Sequence, residues 1–74
     1  MKYVVKTAVG GYQSDPALLA QNATAPIVST LVPAGATVYA TSVPPTMSSD
    51  SNYELIQYNG QNLWVNVSAL TVSS

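Results

Sequence analysis

The strongest constraint on this chain is an Asn-Gly pair set between two strand-like runs, Tyr53-Glu54-Leu55-Ile56-Gln57-Tyr58 and Gln61-Asn62-Leu63-Trp64-Val65-Asn66-Val67. Asn59 and Gly60 both tolerate the positive φ values of a type I′ turn, and the twist of that turn matches the right-handed twist of the strands it joins. The segment therefore predicts a hairpin. The rest of the chain has to supply the other strands and a core for that hairpin to pack on.

The 74 residues make one domain, 1–74. A domain this short removes only about 60% of its unfolded surface from water, which leaves a thin margin of stability. The chain has no Cys and no His. That excludes disulfides, thiolate nucleophiles and sulfur-ligated zinc, and it removes the commonest transition-metal ligand and the commonest general base near neutral pH. Charge is scarcer still: two Lys and three carboxylates, 7% of residues, against about 25% in an average soluble domain. A surface with so little charge gives weak colloidal repulsion and favours association unless Ser, Thr, Asn and Gln keep it hydrated. With no Arg, and Lys2 and Lys6 as its cations, the chain cannot neutralise a run of phosphates, so nucleic acid is not an expected partner. No apolar run approaches the 18 or so residues that span a bilayer, so membrane insertion is not expected either. Lys6 and Thr7 interrupt the apolar start before it reaches signal-peptide length.

Along the chain, residues 2–9 read as a first strand that Gly10-Gly11 ends. Ser14-Asp15-Pro16-Ala17-Leu18-Leu19 carries a helix start, with Asp15 or Ser14 as cap and Pro16 at the first helical position. It allows one or two turns, closed by Asn22. Residues 27–32 read as a second strand, Pro33-Ala34-Gly35 as a turn, and 36–41 as a third strand. Residues 42–52 form a long polar loop, the hairpin follows, and 68–72 reads as a short 3₁₀ turn with a last strand. The expectation is an all-β, five-stranded fold, closed or nearly closed, with one short helical turn in its first long loop.

Two stretches carry a resemblance. Leu31, Pro33, Gly35 and Val38 form one pattern, and Ile56, Tyr58, Asn59, Gly60, Trp64, Val65 and Leu70 form another. Together, over residues 27–70, they resemble bacterial SH3-like (SH3b) domains. In that family a leucine-proline-x-glycine-threonine-valine stretch precedes the middle strands, and a tyrosine-asparagine-glycine hairpin leads to a tryptophan-valine strand and a final leucine. The resemblance implies a small SH3-like barrel. Leu63 stands where the family usually has glycine, and Tyr53 where it commonly has tryptophan. Gly10-Gly11-Tyr12-Gln13-Ser14-Asp15-Pro16 replaces the family's arginine-containing stretch, so the usual basic contact to cell-wall peptide is missing.

Six aromatic residues are present, and Tyr12, Tyr53 and Trp64 are the candidates for a partner-binding row of rings. Trp64 also reads as a cross-strand packing residue, which leaves Tyr12, on its loop, better placed for contact. The three carboxylates offer no acid/base pair: Asp15 reads as a cap, Asp50 as a loop residue and Glu54 as a solvated strand residue. Ser residues have no imidazole to activate them. Asn22-Ala23-Thr24 and Asn66-Val67-Ser68 match the glycosylation pattern at a frequency expected in so Asn- and Ser-rich a chain. The expected function is non-enzymatic, with no cofactor and no metal. A stand-alone barrel beginning at its own Met1, with almost no charge, fits a protein that bridges larger proteins in an assembly, in its sharpest form a bacteriophage virion accessory such as a capsid decoration, cement or tail protein. The alternative is an SH3b module that binds cell-wall peptide or a protein partner outside the cell.

Overall fold

The computed structural model describes residues 1–73, and these form two β-sheets, one α-helix and one 3₁₀ turn. The strands are β1 (Lys2–Val5), β2 (Val9–Gly11), β3 (Thr30–Val32), β4 (Thr37–Ala40), β5 (Tyr53–Tyr58), β6 (Gln61–Asn66) and β7 (Leu70–Ser73). The helix α1 spans Pro16–Gln21, and the 3₁₀ turn Val67–Ala69 leads into β7. Five strands make one sheet in the order β6-β5-β4-β1-β7, every neighbouring pair antiparallel, while β2 and β3 pair as a separate ribbon. The expected closed five-stranded barrel is thus an open sheet of five strands with a two-stranded ribbon beside it. Among the described residues no helix is long and apolar enough to cross a membrane.

Local chemistry explains most of the elements. Asn59 and Gly60 both have positive φ, 52° and 79°, so the hairpin turns as expected and pairs six residues on each side, from Tyr58↔Gln61 out to Tyr53↔Asn66. Pro33-Ala34-Gly35-Ala36 is a type II turn, with Gly35 at φ 86° and the Ala36 N–H donating to the Pro33 carbonyl at 3.2 Å. The Asp15 carboxylate caps α1 by accepting from the N–H groups of Ala17 (2.9 Å) and Leu18 (3.4 Å), and Pro16 fills a position whose missing N–H costs nothing.

Elsewhere the structure departs from expectation. The first strand is broken at Lys6-Thr7-Ala8 into β1 and β2, and Gly10-Gly11 are the last two residues of β2, where they still pair with β3. Only Thr30–Val32 of the expected 27–32 strand pairs, because β2 offers three partners, Val9↔Val32, Gly10↔Leu31 and Gly11↔Thr30. The 42–52 loop is ordered by its own polar groups. Ser48 donates to Asp50 at 2.6 Å and accepts from the Tyr53 N–H at 3.0 Å, while a bridge pairs Met47 with Glu54.

The core lies on one face of the five-stranded sheet, where strand alternation brings together Tyr3, Val5, Val38, Ile56, Leu63 and Val65, with Val32 from the ribbon. Four of the seven are valines, so the core is small and stiff and each member matters at about 1.5–3 kcal/mol of burial. The ribbon can reach this core because Gly11 has no side chain. A Cβ at Gly11 would stand 2.9 Å from Leu63 Cδ1, 3.1 Å from Leu63 Cβ and 3.2 Å from the Thr30 carbonyl oxygen. At Gly10 a Cβ would meet the side chain of Val28, which is half exposed and can move. Gly11→Ala should therefore lower the unfolding free energy by about 1–3 kcal/mol, and Gly10→Ala by clearly less. Urea titrations of the two variants check this, and equal losses would mean that the approach to Leu63 is not the constraint.

Candidate functional site

Because side chains alternate along a strand, Lys2, Tyr39, Gln57 and Asn62 fall on the face opposite the core, each directly across from the next. On the same face Leu55 stands opposite Trp64, and Tyr12 joins them through an isolated bridge to Trp64. In that bridge Tyr12 N–H donates to the Trp64 carbonyl at 2.9 Å and Trp64 N–H returns the bond at 2.7 Å. The bridge ties the β2 side of the ribbon to the free edge of β6. Tyr12 also meets Tyr53 edge-to-face, ring centroids 6.0 Å apart and planes at 89°, a geometry aromatic pairs favour.

The three aromatic residues singled out in the sequence are therefore neighbours on one face, and all three are half-buried. Trp64 stands directly across from Leu55 and is half-buried, a position that suits cross-strand packing and leaves part of the residue accessible. Tyr12 is held by strand-type hydrogen bonds where a free loop was expected, because Gly11 points inward over Leu63 and the next residue must then point out.

Beside Tyr12 opens a cleft of about 310 Å³, lined by Tyr12, Gln13, Ser14, Leu19, Ala25 and Ile27 among others. Its walls come from the exit of β2, from α1 and from the extended segment before β3. The aliphatic side chains around the molecule's margins are unusually open: Ile27 is 82% exposed, Leu31 65% and Val72 63%. Val72 lies opposite Tyr3, on the core side of the sheet, yet stays exposed at the edge formed by β7.

Glu54 corrects an expectation. It is 5% exposed, whereas a solvated carboxylate was expected at that position. It shares strand parity with Ile56, so whatever buries Ile56 also draws Glu54 inward. The Tyr3 hydroxyl donates to Glu54 Oε1 at 3.0 Å, while Oε2 is buried without a hydrogen-bond partner among the described residues. Burial pushes the Glu54 carboxyl above its ordinary value, against the opposing effect of the Tyr3 hydrogen bond. Burial, and then the bond to Glu54, pushes the Tyr3 hydroxyl up to about 12. Asp50 goes the other way: hydrogen bonds from Ser48 and from the Asn52 N–H hold its carboxyl below the usual value. Sequence alternation alone could have placed Glu54 inside, since it shares strand parity with the apolar Ile56 two residues away.

Comparison with family models, with curated proteins and with solved structures finds no match. The class defined by fold and site is thus a small β protein with an aromatic outward face, an adjoining cleft and two open sheet edges.

The pH dependence follows from these groups. A carboxyl whose folded pKa is raised contributes stability below its unfolded value, near 4.5, and loses it as pH rises through the folded value, so ionised Glu54 is a cost at neutral pH. Tyr3 has the same sign at higher pH: its contribution is present below 10.0 and is lost as pH rises through about 12. Asp50 has the opposite sign, with stability present above its unfolded value and lost on acidification. Comparing wild type with Glu54→Gln isolates one group: the variant should be more stable at pH 7 by about 1 kcal/mol, with the difference vanishing toward pH 4. Chemical denaturation across that range reads it, and a difference independent of pH would refute buried ionisation at Glu54.

Proposed function

We propose that this chain is a non-enzymatic interaction protein on an opened SH3-like barrel, which joins larger proteins within an assembly. Its sharpest form is an accessory subunit of a bacteriophage virion, either a capsid decoration or cement subunit or a tail protein. The observation that carries the reading is the chemistry of the sheet edges. Among the described residues β7 pairs only with β1 and β3 only with β2, and neither Leu70-Thr71-Val72-Ser73 nor Thr30-Leu31-Val32 contains a charge. Soluble proteins usually guard such edges with Lys, Pro or a bulge. Here the nearest guard is Pro33, just past β3, and Val72, Leu31 and Ile27 stand exposed beside the open backbone. A partner strand laid along either edge gains main-chain hydrogen bonds and covers these side chains, with no charge to desolvate.

The SH3-like part of the proposal rests on the turn at Gly35 leading into β4, the Asn59-Gly60 hairpin, and the 3₁₀ turn that feeds Leu70 into a last strand beside the first. The second reading, an SH3b module for cell-wall peptide or a secreted protein, is favoured by one feature, the cleft beside Tyr12.

Sedimentation velocity of the purified protein separates the two. The assembly reading expects association with itself or with virion shells, reduced at least tenfold by Val72→Lys or Leu31→Lys through a charge placed on the edge, with folding intact. A stable monomer that pulls down with purified peptidoglycan would sink it. Association without wall binding would sink the second reading.

A further inference from the structure

The outward face of the five-stranded sheet differs in chemistry from its edges. Tyr39 (β4), Gln57 (β5) and Asn62 (β6) form one row, each exposed and each directly opposite the next. Trp64 and Tyr12 form a second row one side-chain step along. The amides of Gln57 and Asn62 make no hydrogen bond to the protein among the described residues, so each keeps two donors and an acceptor for something else. Lys2, at the far end of the first row, is the one charged residue on this face of the described strands, because Glu54 points to the core. Asp15 caps α1 and Asp50 is tied into its own loop.

Rings and unspent amides without charge select a particular ligand chemistry. A phosphate-bearing or acidic ligand would find one cation, and an apolar peptide would leave Gln57 and Asn62 desolvated and unpaired. A pyranose answers both features, since its C–H face packs on an aromatic ring while its hydroxyls donate to and accept from amides. We propose that this face binds a neutral polysaccharide, with sugar rings stacked on Tyr39 and Trp64 and their hydroxyls bonded to Gln57 and Asn62. The two rings are separated by two strand spacings and one side-chain step, about 12 Å, the span of a short oligosaccharide. The site is independent of the β3 and β7 edges, so it adds a ligand to a protein that also assembles.

Trp64 is the chain's single tryptophan and lies on this face, so its fluorescence is the readout. The experiment titrates the full chain with β-1,4-linked glucose oligomers and with a neutral galactomannan, using polygalacturonate as the acidic control. A saturable change with a neutral probe, little altered by salt, is expected. Gln57→Ala, Asn62→Ala and Tyr39→Ala should each weaken it about tenfold without moving the unfolding midpoint, and the edge variant Val72→Lys should leave it unchanged. Absence of binding to both neutral probes overturns the proposal, as does salt-sensitive preference for polygalacturonate. Undiminished binding by Gln57→Ala and Asn62→Ala overturns it equally, since both residues are exposed and neither substitution disturbs the core.

Discussion

Everything in this fold depends on how close the β2 backbone comes to Leu63. The five-stranded sheet buries one face, and the ribbon of β2 and β3 brings Val32 to full burial against it. Gly11 lets the ribbon descend, since any side chain there would occupy the space of Leu63 and crowd the Thr30 carbonyl. The approach has a second result. With position 11 turned inward and pressed close, position 12 turns outward at the edge of β6, where its backbone exchanges two hydrogen bonds with Trp64. One missing Cβ thus sets the core packing and the aromatic face together. Leu63 is the side chain that fills the space Gly11 leaves.

The parts of this arrangement that were legible in the sequence are those settled within a few residues. Asn59-Gly60 turns the hairpin through its own φ preferences, Asp15 and Pro16 start α1 through their own side chains, and Gly35 makes its turn the same way. What was not legible depends on partners far along the chain. Gly10-Gly11 ends its strand as read, but that both glycines pair with β3 depends on the ribbon having somewhere to lie, and Lys6-Thr7-Ala8 looks like strand until β1 is committed to β4 and β7 on both sides. The candidate site divides similarly. Tyr12, Tyr53 and Trp64 stand out because aromatics are few, but Tyr39, Gln57 and Asn62 become a row only once three strand registers are known.

The scarcity of charge shapes surface and interior alike. Four of the six aromatic residues, Tyr12, Tyr39, Tyr53 and Trp64, are kept from the buried core, which is filled mainly by Val, Ile and Leu. β-branched side chains suit a thin core between a sheet and a ribbon, because they fill the pleat without demanding depth. The rings are thereby displaced to the outward face, where amides and hydroxyls replace the usual Lys and Glu as the polar complement. A hydration shell held by neutral groups is given up more cheaply than one held by ions, which favours contact between such a surface and another neutral one.

Against that background Glu54 is the exception that needs a physical reason. Replacing a buried ion by an apolar side chain often stabilises a protein, so the carboxylate is not there for stability. Its one partner is Tyr3, reached across the core from β1 to β5, two strands that do not pair with each other. The bond runs diagonally across the core face of β4: Tyr3 stands opposite Val38, and Glu54 lies two residues beyond Ile56, the partner of Ala40, so the two side chains meet over Ala40 and tie the curvature of the sheet to a directional contact. In an open sheet, which lacks the closing strand pairs that hold a barrel in shape, a directional bond through the core supplies curvature that non-directional packing of valines does not.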